Sequence, residues 1–405
     1  MDLGRGLIGV DWEVRVDFDR MRKDRIRKLR QAVADSEVDL LLVFRLENIR
    51  YATALRTHDW PQAHFGMAAY AVTNREQEYL YTLDYYHAKA RCPWLWDSLA
   101  EDEKGLPVTS RGLETETGAM VWAEDVLDRC KKLDIDVKRV GVDMYSPGLA
   151  YALPKVFKDA EFVNGQNVMI KARSIKTEDE ILCLKIAYDM TMAGMYEAKE
   201  FLRPGVRECE VQAVAFKKFY DLAGEWTQCS NIVCSGPYTA PYRRFTSDRI
   251  IAEGDPVIID IGSRFNGYWG DYTRTWICGK DANPPKALID LHQRAYDGLK
   301  RSQKAIKPGA TTEEVALACG EEQILNHSLG HGIGVGANDV PFIGIYPGVT
   351  GKDARKLEVG MVFSIEPYCG VPGVGGIRLE DNYVVTEDGC ECISEGTPFE
   401  PKLMA

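Results

Sequence analysis

The sequence predicts an α/β domain over residues 1–168 and a second domain over 169–405 that repeats one helix-and-hairpin unit. Three observations carry that expectation. A chain of 405 residues suits two domains better than one. The first part alternates helix-like and strand-like segments. The second part contains two copies of the same spaced motif.

In the first domain, the charged stretch from Arg20 to Val33 has helical apolar spacing, and Leu40-Leu41-Leu42-Val43-Phe44 reads as a buried strand. A boundary near 165–175 follows from Thr177 and Glu180, which form a capping-box signal for a long helix running to about Leu202.

In the second domain, Leu202-Arg203-Pro204-Gly205 followed by Glu210-Val211 recurs as Ile306-Lys307-Pro308-Gly309 followed by Glu314-Val315. Further on, Gly254 leads to Asp260 and Gly360 leads to Glu366 over the same number of residues. The repeat therefore equates Asp260 with Glu366. Each acid precedes a turn and a second strand bearing another acid, Asp271 in one copy and Glu380 in the other. Two such hairpins related by a pseudo-two-fold axis would converge four carboxylates on one point.

Four converging carboxylates repel one another unless cations lie between them, and an acid ending a strand as apolar as Val257-Ile258-Ile259-Asp260 is costly to bury alone. A metal centre satisfies both conditions. His331, flanked by glycines in Leu329-Gly330-His331-Gly332-Ile333-Gly334, is the candidate imidazole. His58, His64, His87 and His292 read as ordinary surface or core histidines, and His327 as a candidate for an outer contact. Carboxylates with one imidazole suit manganese, iron, cobalt or zinc better than copper.

The charge balance is 50 Lys and Arg against 61 Asp and Glu, without a basic stripe, which argues against a nucleic-acid partner. No apolar run approaches the roughly 18–20 residues of a membrane span, and the opening stretch, without a basic region followed by a sustained apolar run, reads as lacking a secretory leader. Eleven cysteines without a C-x-x-C pair read as reduced thiols, and with the missing leader they point to the cytoplasm.

Asp260 in D-x-G, Asp271 in G-D-Y-T-R-T, His331 in G-H-G-I-G, Glu366 in S-I-E-P and Glu380 in R-L-E-D-N resemble the five ligands of the pita-bread metalloenzymes, which include aminopeptidase P, prolidase and creatinase. The resemblance covers about 172–395, and the preceding domain resembles the creatinase-type N-terminal domain. It implies an α/β creatinase-like domain followed by an α+β pita-bread domain, two divalent transition-metal ions per chain, and a homodimer. It further implies Asp260 on one ion, Asp271 and Glu380 bridging, and His331 and Glu366 on the other.

Two helper histidines of the prolidase-type peptidases are missing, since the corresponding positions hold Arg243 and Asn338. The dimethylsulfoniopropionate lyases of the same superfamily also lack them and are similar over Asn48–Thr53, Gly224-Glu225-Trp226, Ser235-Gly236-Pro237 and the tail Pro398–Met404. Gly262 departs from those lyases, which carry a second acid there. The leading expectation is β-elimination from a small zwitterion, dimethylsulfoniopropionate, giving dimethyl sulfide and acrylate. Asp339 is then the base, Arg243 the carboxylate fork, and Trp60, Tyr238, Tyr242, Trp269 and Tyr368 the rings for the sulfonium. The alternative is hydrolysis of an Xaa-Pro dipeptide or a cyclic osmolyte such as ectoine, with Glu366 moving the proton.

Overall fold

A computed structural model describes residues 16–57, 67–222, 224–225, 231–320 and 328–404. The chain divides into two compact units, one of Phe18–Arg173 and one containing Ser174–Ala405. The division falls at the end of a helix, Gly165–Ser174, that follows directly on the last strand of the first unit, a few residues beyond the 168 read from the sequence.

The first unit contains α1 (Phe18–Asp35), β1 (Leu40–Val43), α2 (Leu46–Thr53), β2 (Ala68–Thr73), β3 (Glu78–Thr82), α3 (Tyr85–Arg91), α4 (Glu116–Lys132), β4 (Arg139–Val142), α5 (Pro147–Val156), β5 (Glu161–Asn164) and α6 (Gly165–Ser174). Its sheet runs in the order β3-β2-β1-β4-β5, with β1, β4 and β5 parallel and β2 antiparallel to both of its neighbours, β1 and β3. β1 is apolar at every position because it is covered on both faces. α4 starts at Thr115, whose hydroxyl accepts the Gly118 N–H, and buries Ala119, Trp122, Val126 and Cys130 at helical spacing. Trp122 meets Phe44 and Tyr81 edge-on at 5.3 and 5.4 Å.

The second unit opens with α7 (Glu178–Phe201), capped by Thr177 and Glu180 as the sequence indicates. It continues through α8 (Glu208–Asp221), β6 (Ile232–Ser235), β7 (Pro256–Phe265), β8 (Tyr268–Ile277), α9 (Lys286–Ala305) and α10 (Thr312–Cys319). The remaining strands are β9 (Gly330–Gly332), β10 (Asp339–Ile343), β11 (Val362–Ile365), β12 (Tyr368–Val371), β13 (Gly375–Arg378), β14 (Asp381–Val385) and β15 (Cys390–Cys392). They form sheets ordered β6-β7-β8 and β10-β9-β11-β14-β15, with β12-β13 as a separate ribbon, which makes the unit α+β.

The repeat is visible in the backbone. Gly205 and Gly309 adopt φ of +92° and +84°, and Gly254 and Gly360 adopt +83° and +88°. The Gly205 N–H donates to Ile251 O and the Gly309 N–H to Leu357 O, while Gly254 and Gly360 donate to Cys278 O and Val385 O at the ends of their hairpins. Within the hairpins the copies differ. Asp260 faces Thr273 and Asp271 faces Gly262. In the second copy Ile365 faces Asp381 and Tyr368 faces Arg378, so Glu366 and Glu380 lie opposite each other at the break between two pairings. By register, Glu380 corresponds to Thr273, and Arg378 corresponds to Asp271.

Ten described cysteines are all free. Among the described residues, no helix is long and apolar enough to cross a membrane.

Candidate metal centre

The two hairpins meet along β8 and β13. The Glu380 N–H donates to Thr273 O at 3.1 Å, the Thr275 hydroxyl donates to Arg378 O at 2.8 Å, and the Arg378 N–H donates back to that hydroxyl at 2.9 Å. This seam brings one carboxylate oxygen each of Asp260, Asp271 and Glu380 within 4.8 Å of one another, all buried. Glu366 directly follows β11, its N–H donating to Leu329 O at 2.7 Å. His331 on β9 points Nε2 at Asp271 Oδ2 and Glu366 Oε1, 3.7 and 3.8 Å away. The structure thus gathers the five residues that the sequence named as ligands.

The donor set fits two ions on several counts. His331 Nδ1 lies 3.1 Å from Gly332 O, a contact that places the proton on Nδ1 and leaves the Nε2 lone pair facing the carboxylates. Among the described residues, Asp260 Oδ1 is buried with no hydrogen-bond partner, a cost that a cation would remove. Burial raises the Asp260 carboxyl above its usual range, with Arg378 opposing the rise and Glu366 adding to it. Burial raises Glu380 well above that range too, and Asp271, Glu366 and Asp260 raise it further. One guanidinium among four carboxylates leaves the cluster short of positive charge.

That guanidinium is Arg378, which carried no role in the sequence reading. It is buried and bonds Asp260 Oδ2 through one nitrogen and Glu366 Oε2 through the other. A signal was available, because Arg378 stands two residues before Glu380 on an extended segment and so shares its face. Around it, the Thr273 hydroxyl donates to Glu380 Oε2 at 2.8 Å, and Asn382 Nδ2 donates to Asp271 O at 2.9 Å. Arg274 bonds Glu380 O and pairs with Asp381 at 2.7 Å.

The other named residues divide. Tyr242 reaches the centre, its hydroxyl 3.0 Å from Asp260 Oδ2 and 3.1 Å from Arg378 Nη1, and its ring stacks on Tyr368 at 5.6 Å. The two rings line a cleft of about 340 Å³ with Ala240, Pro241, Arg244, Gly370 and Pro372. Arg243 instead turns to the buried Glu208, and Tyr238 lies beneath the Arg243 guanidinium at 4.3 Å. Counting along the sequence put Arg243 where an imidazole was sought, yet the side chain that reaches Asp260 from this segment is Tyr242. Asn338 is exposed.

Trp269 is buried against Val335 O through its indole N–H, and the Arg264 guanidinium covers it at 4.7 Å. A protein cation therefore already occupies the face assigned to a substrate sulfonium. Asp339 is buried at the head of β10, where Oδ1 accepts the Val340 N–H at 3.1 Å. A Cβ on Gly334 would fall 3.0 Å from Asp339 Oδ2 and 3.2 Å from Lys176 Cε, so this glycine lets both side chains lie against its backbone. His292 is buried beside Phe399, and burial lowers its pKa to about 4. Trp60, His58, His64 and His327 lie outside the described residues.

The profile of metallopeptidase family M24 matches residues 182–387, and that of the creatinase/prolidase N-terminal domain matches 25–175. The chain is 27% identical to the Xaa-Pro dipeptidase of Pyrococcus furiosus over 92% of its own length and 98% of that protein's. It is 30% identical to the dimethylsulfoniopropionate lyase of Roseovarius nubinhibens, over 96% and 88%. The solved Xaa-Pro dipeptidase of Bacillus anthracis superposes with a TM-score of 0.76 at 25% identity, covering 94% and 99% of the two chains.

These likenesses overturn the elimination reading. Xaa-Pro dipeptidases and prolidases recur among both the relatives and the solved structures that match over nine-tenths of the chain, while the lyase is one relative at 30% identity, so the short stretches shared with the lyases do not set the chain apart. The structure shows why those stretches carry fold. Asn48 bonds Asp143, Gln166 and Arg173, the Tyr51 hydroxyl donates to Ala172 O, and Phe399 packs on Arg274 at 4.3 Å. The roles given to Asp339 as base and to the aromatic rings as a sulfonium cage fall with elimination.

Proposed function

The chain belongs to metallopeptidase family M24, whose enzymes work with two divalent metal ions, and from that premise we propose that it hydrolyses Xaa-Pro dipeptides. The observation that carries this reading is the recurrence of Xaa-Pro dipeptidases and prolidases among the relatives and solved structures that match the chain, joined to a five-residue donor set at its centre. Asp260 would hold one ion, Asp271 and Glu380 would bridge, and His331 and Glu366 would hold the other. When bound, the ions supply Lewis acidity toward the amide carbonyl and make water nucleophilic at neutral pH.

The chain's own groups supply the rest. Glu366 presents Oε1 on the side away from the oxygen that Arg378 engages, and receives the proton released by water. The Tyr242 hydroxyl donates its one proton to Asp260 Oδ2 and accepts Arg378 Nη1, so it orients a carboxylate that would hold an ion. The cleft offers Pro241, Pro372 and the face of Tyr368 to a pyrrolidine ring, with Arg244 among its lining residues as the candidate partner of a free carboxylate. A homodimer is the proposed assembly, tested by sedimentation.

The test is turnover of Ala-Pro and Gly-Pro by the purified chain after loading with manganese, cobalt or zinc, with elemental analysis alongside. Proline release that stops on chelation, at two ions per chain, is the expected result. Two bound ions without proline release would overturn the substrate and leave the metal centre standing.

A further inference from the structure

The segment between β6 and β7 carries two adjacent side chains that leave it in different directions. Tyr242 goes to Asp260 and Arg378 at the metal centre, and Arg243 goes to Glu208 at the start of α8. Glu208 is fully buried, and its carboxylate is held from both ends of the same segment. Oε1 accepts the Ser235 N–H at 2.8 Å and the Ser235 hydroxyl at 2.7 Å. Oε2 accepts Arg243 together with the Ser247 N–H at 3.1 Å and the Ser247 hydroxyl at 2.7 Å.

Arg243 closes the loop on itself. Its N–H donates to Tyr238 O at 3.0 Å, its Nε donates to Phe245 O at 3.1 Å, and its guanidinium lies over the Tyr238 and Phe245 rings at 4.3 and 5.0 Å. A buried carboxylate is tolerated only with its donors in place. The two ends of the loop and its middle are thereby fixed to one point.

We infer that the Glu208–Arg243 pair is a latch that positions Tyr242 over Asp260, so that Glu208 and Arg243 are positioning residues acting through the Tyr242 hydroxyl. Neither touches the carboxylate cluster in the contacts just described, and their influence on it passes through the neighbouring tyrosine. The kinetic part of the inference rests on the hydrolytic reading above, whereas the positional part does not.

The test compares the full chain with Tyr242→Phe, Arg243→Met, Arg243→Lys and the double variant Tyr242→Phe/Arg243→Met. Fluorine NMR of 3-fluorotyrosine-labelled protein, zinc-loaded and chelated, reads position, the Tyr242 resonance being the one missing in Tyr242→Phe. Arg243→Met is expected to move that resonance and leave those of tyrosines in the first unit, such as Tyr81, in place, and Arg243→Lys to restore it in part. On Ala-Pro, Tyr242→Phe and Arg243→Met should each lower kcat about tenfold or more, the scale of a lost hydrogen bond to a charged group. The double variant should be no worse than either, with KM little changed.

A Tyr242 resonance unmoved by Arg243→Met would overturn the latch, as would movement of every tyrosine together, which marks general loosening. Losses that multiply in the double variant would overturn it as well. Should the unmodified chain not cleave Ala-Pro, the hydrolytic reading fails, and the fluorine spectra still decide the latch.

Discussion

Arg378 holds Asp260 with one nitrogen and Glu366 with the other, in a place that the pseudo-two-fold axis gives to an acid in the first copy. Its removal should therefore matter most when no ion is bound. Replacing Arg378 by Met in the chelated protein is expected to cost about 3 kcal/mol or more, because it leaves buried carboxylates without their cation. In the metal-loaded protein the same replacement should cost clearly less. Urea unfolding of both proteins in both states measures the difference, and equal losses would mean that Arg378 acts only as packing. The five ligand candidates were legible because each sits in a distinctive local string, whereas Arg378 carried no role there and Tyr242 was read only as a ring for a substrate cation. Their roles depend on strand register and on the path of the loop around Glu208, and counting residues from Ser235 therefore selected Arg243.

The duplicated elements make a sharper comparison than either copy alone. Gly254 and Gly360 share a positive φ, at +83° and +88°, which costs any residue with a Cβ roughly 1 kcal/mol. Their surroundings differ. Among the described residues a Cβ at Gly254 meets nothing within 4 Å, whereas one at Gly360 would lie 3.0 Å from Ile175 Cγ2 and 3.1 Å from Lys176 O. Gly254→Ala should lower stability by that conformational cost alone, and Gly360→Ala by about 1 kcal/mol more through the added crowding. Denaturant midpoints decide this, and a larger loss at Gly254 would contradict it. The spacing of the repeat was readable in the sequence because it fixes where these glycines fall. The two-residue offset between Asp271 and Glu380 was not, since it arises where β11–β14 pairing gives way to β12–β13.

Across the whole chain, the two units should respond to different variables. Ion binding stabilises the structure that holds the ligands by mass action, so chelation should lower hydrogen-exchange protection in β7, β8 and β11–β14. The N-terminal unit carries its own titrating group. Asp143 accepts the Phe44 N–H at 2.8 Å, the Arg45 N–H at 3.2 Å and Asn48 Nδ2 at 2.8 Å, yet burial outweighs these donors and lifts its pKa to about 6. A carboxyl raised in the folded state binds its proton more tightly there than in the unfolded chain. Its contribution to stability is thus complete below about pH 4, the ordinary carboxyl range, and is lost as pH rises through about 6. A shift of that size corresponds to about 3 kcal/mol across the window. Protection factors of β1 and β4 amides, corrected for intrinsic exchange, should therefore rise between pH 7 and pH 5. Asp143→Asn should flatten that dependence, because an amide does not titrate, while leaving the response of β7 and β8 to chelation unchanged. Protection in β1 and β4 that stays level with pH in the unmodified chain would show that the donors around Asp143, and not its burial, set its charge.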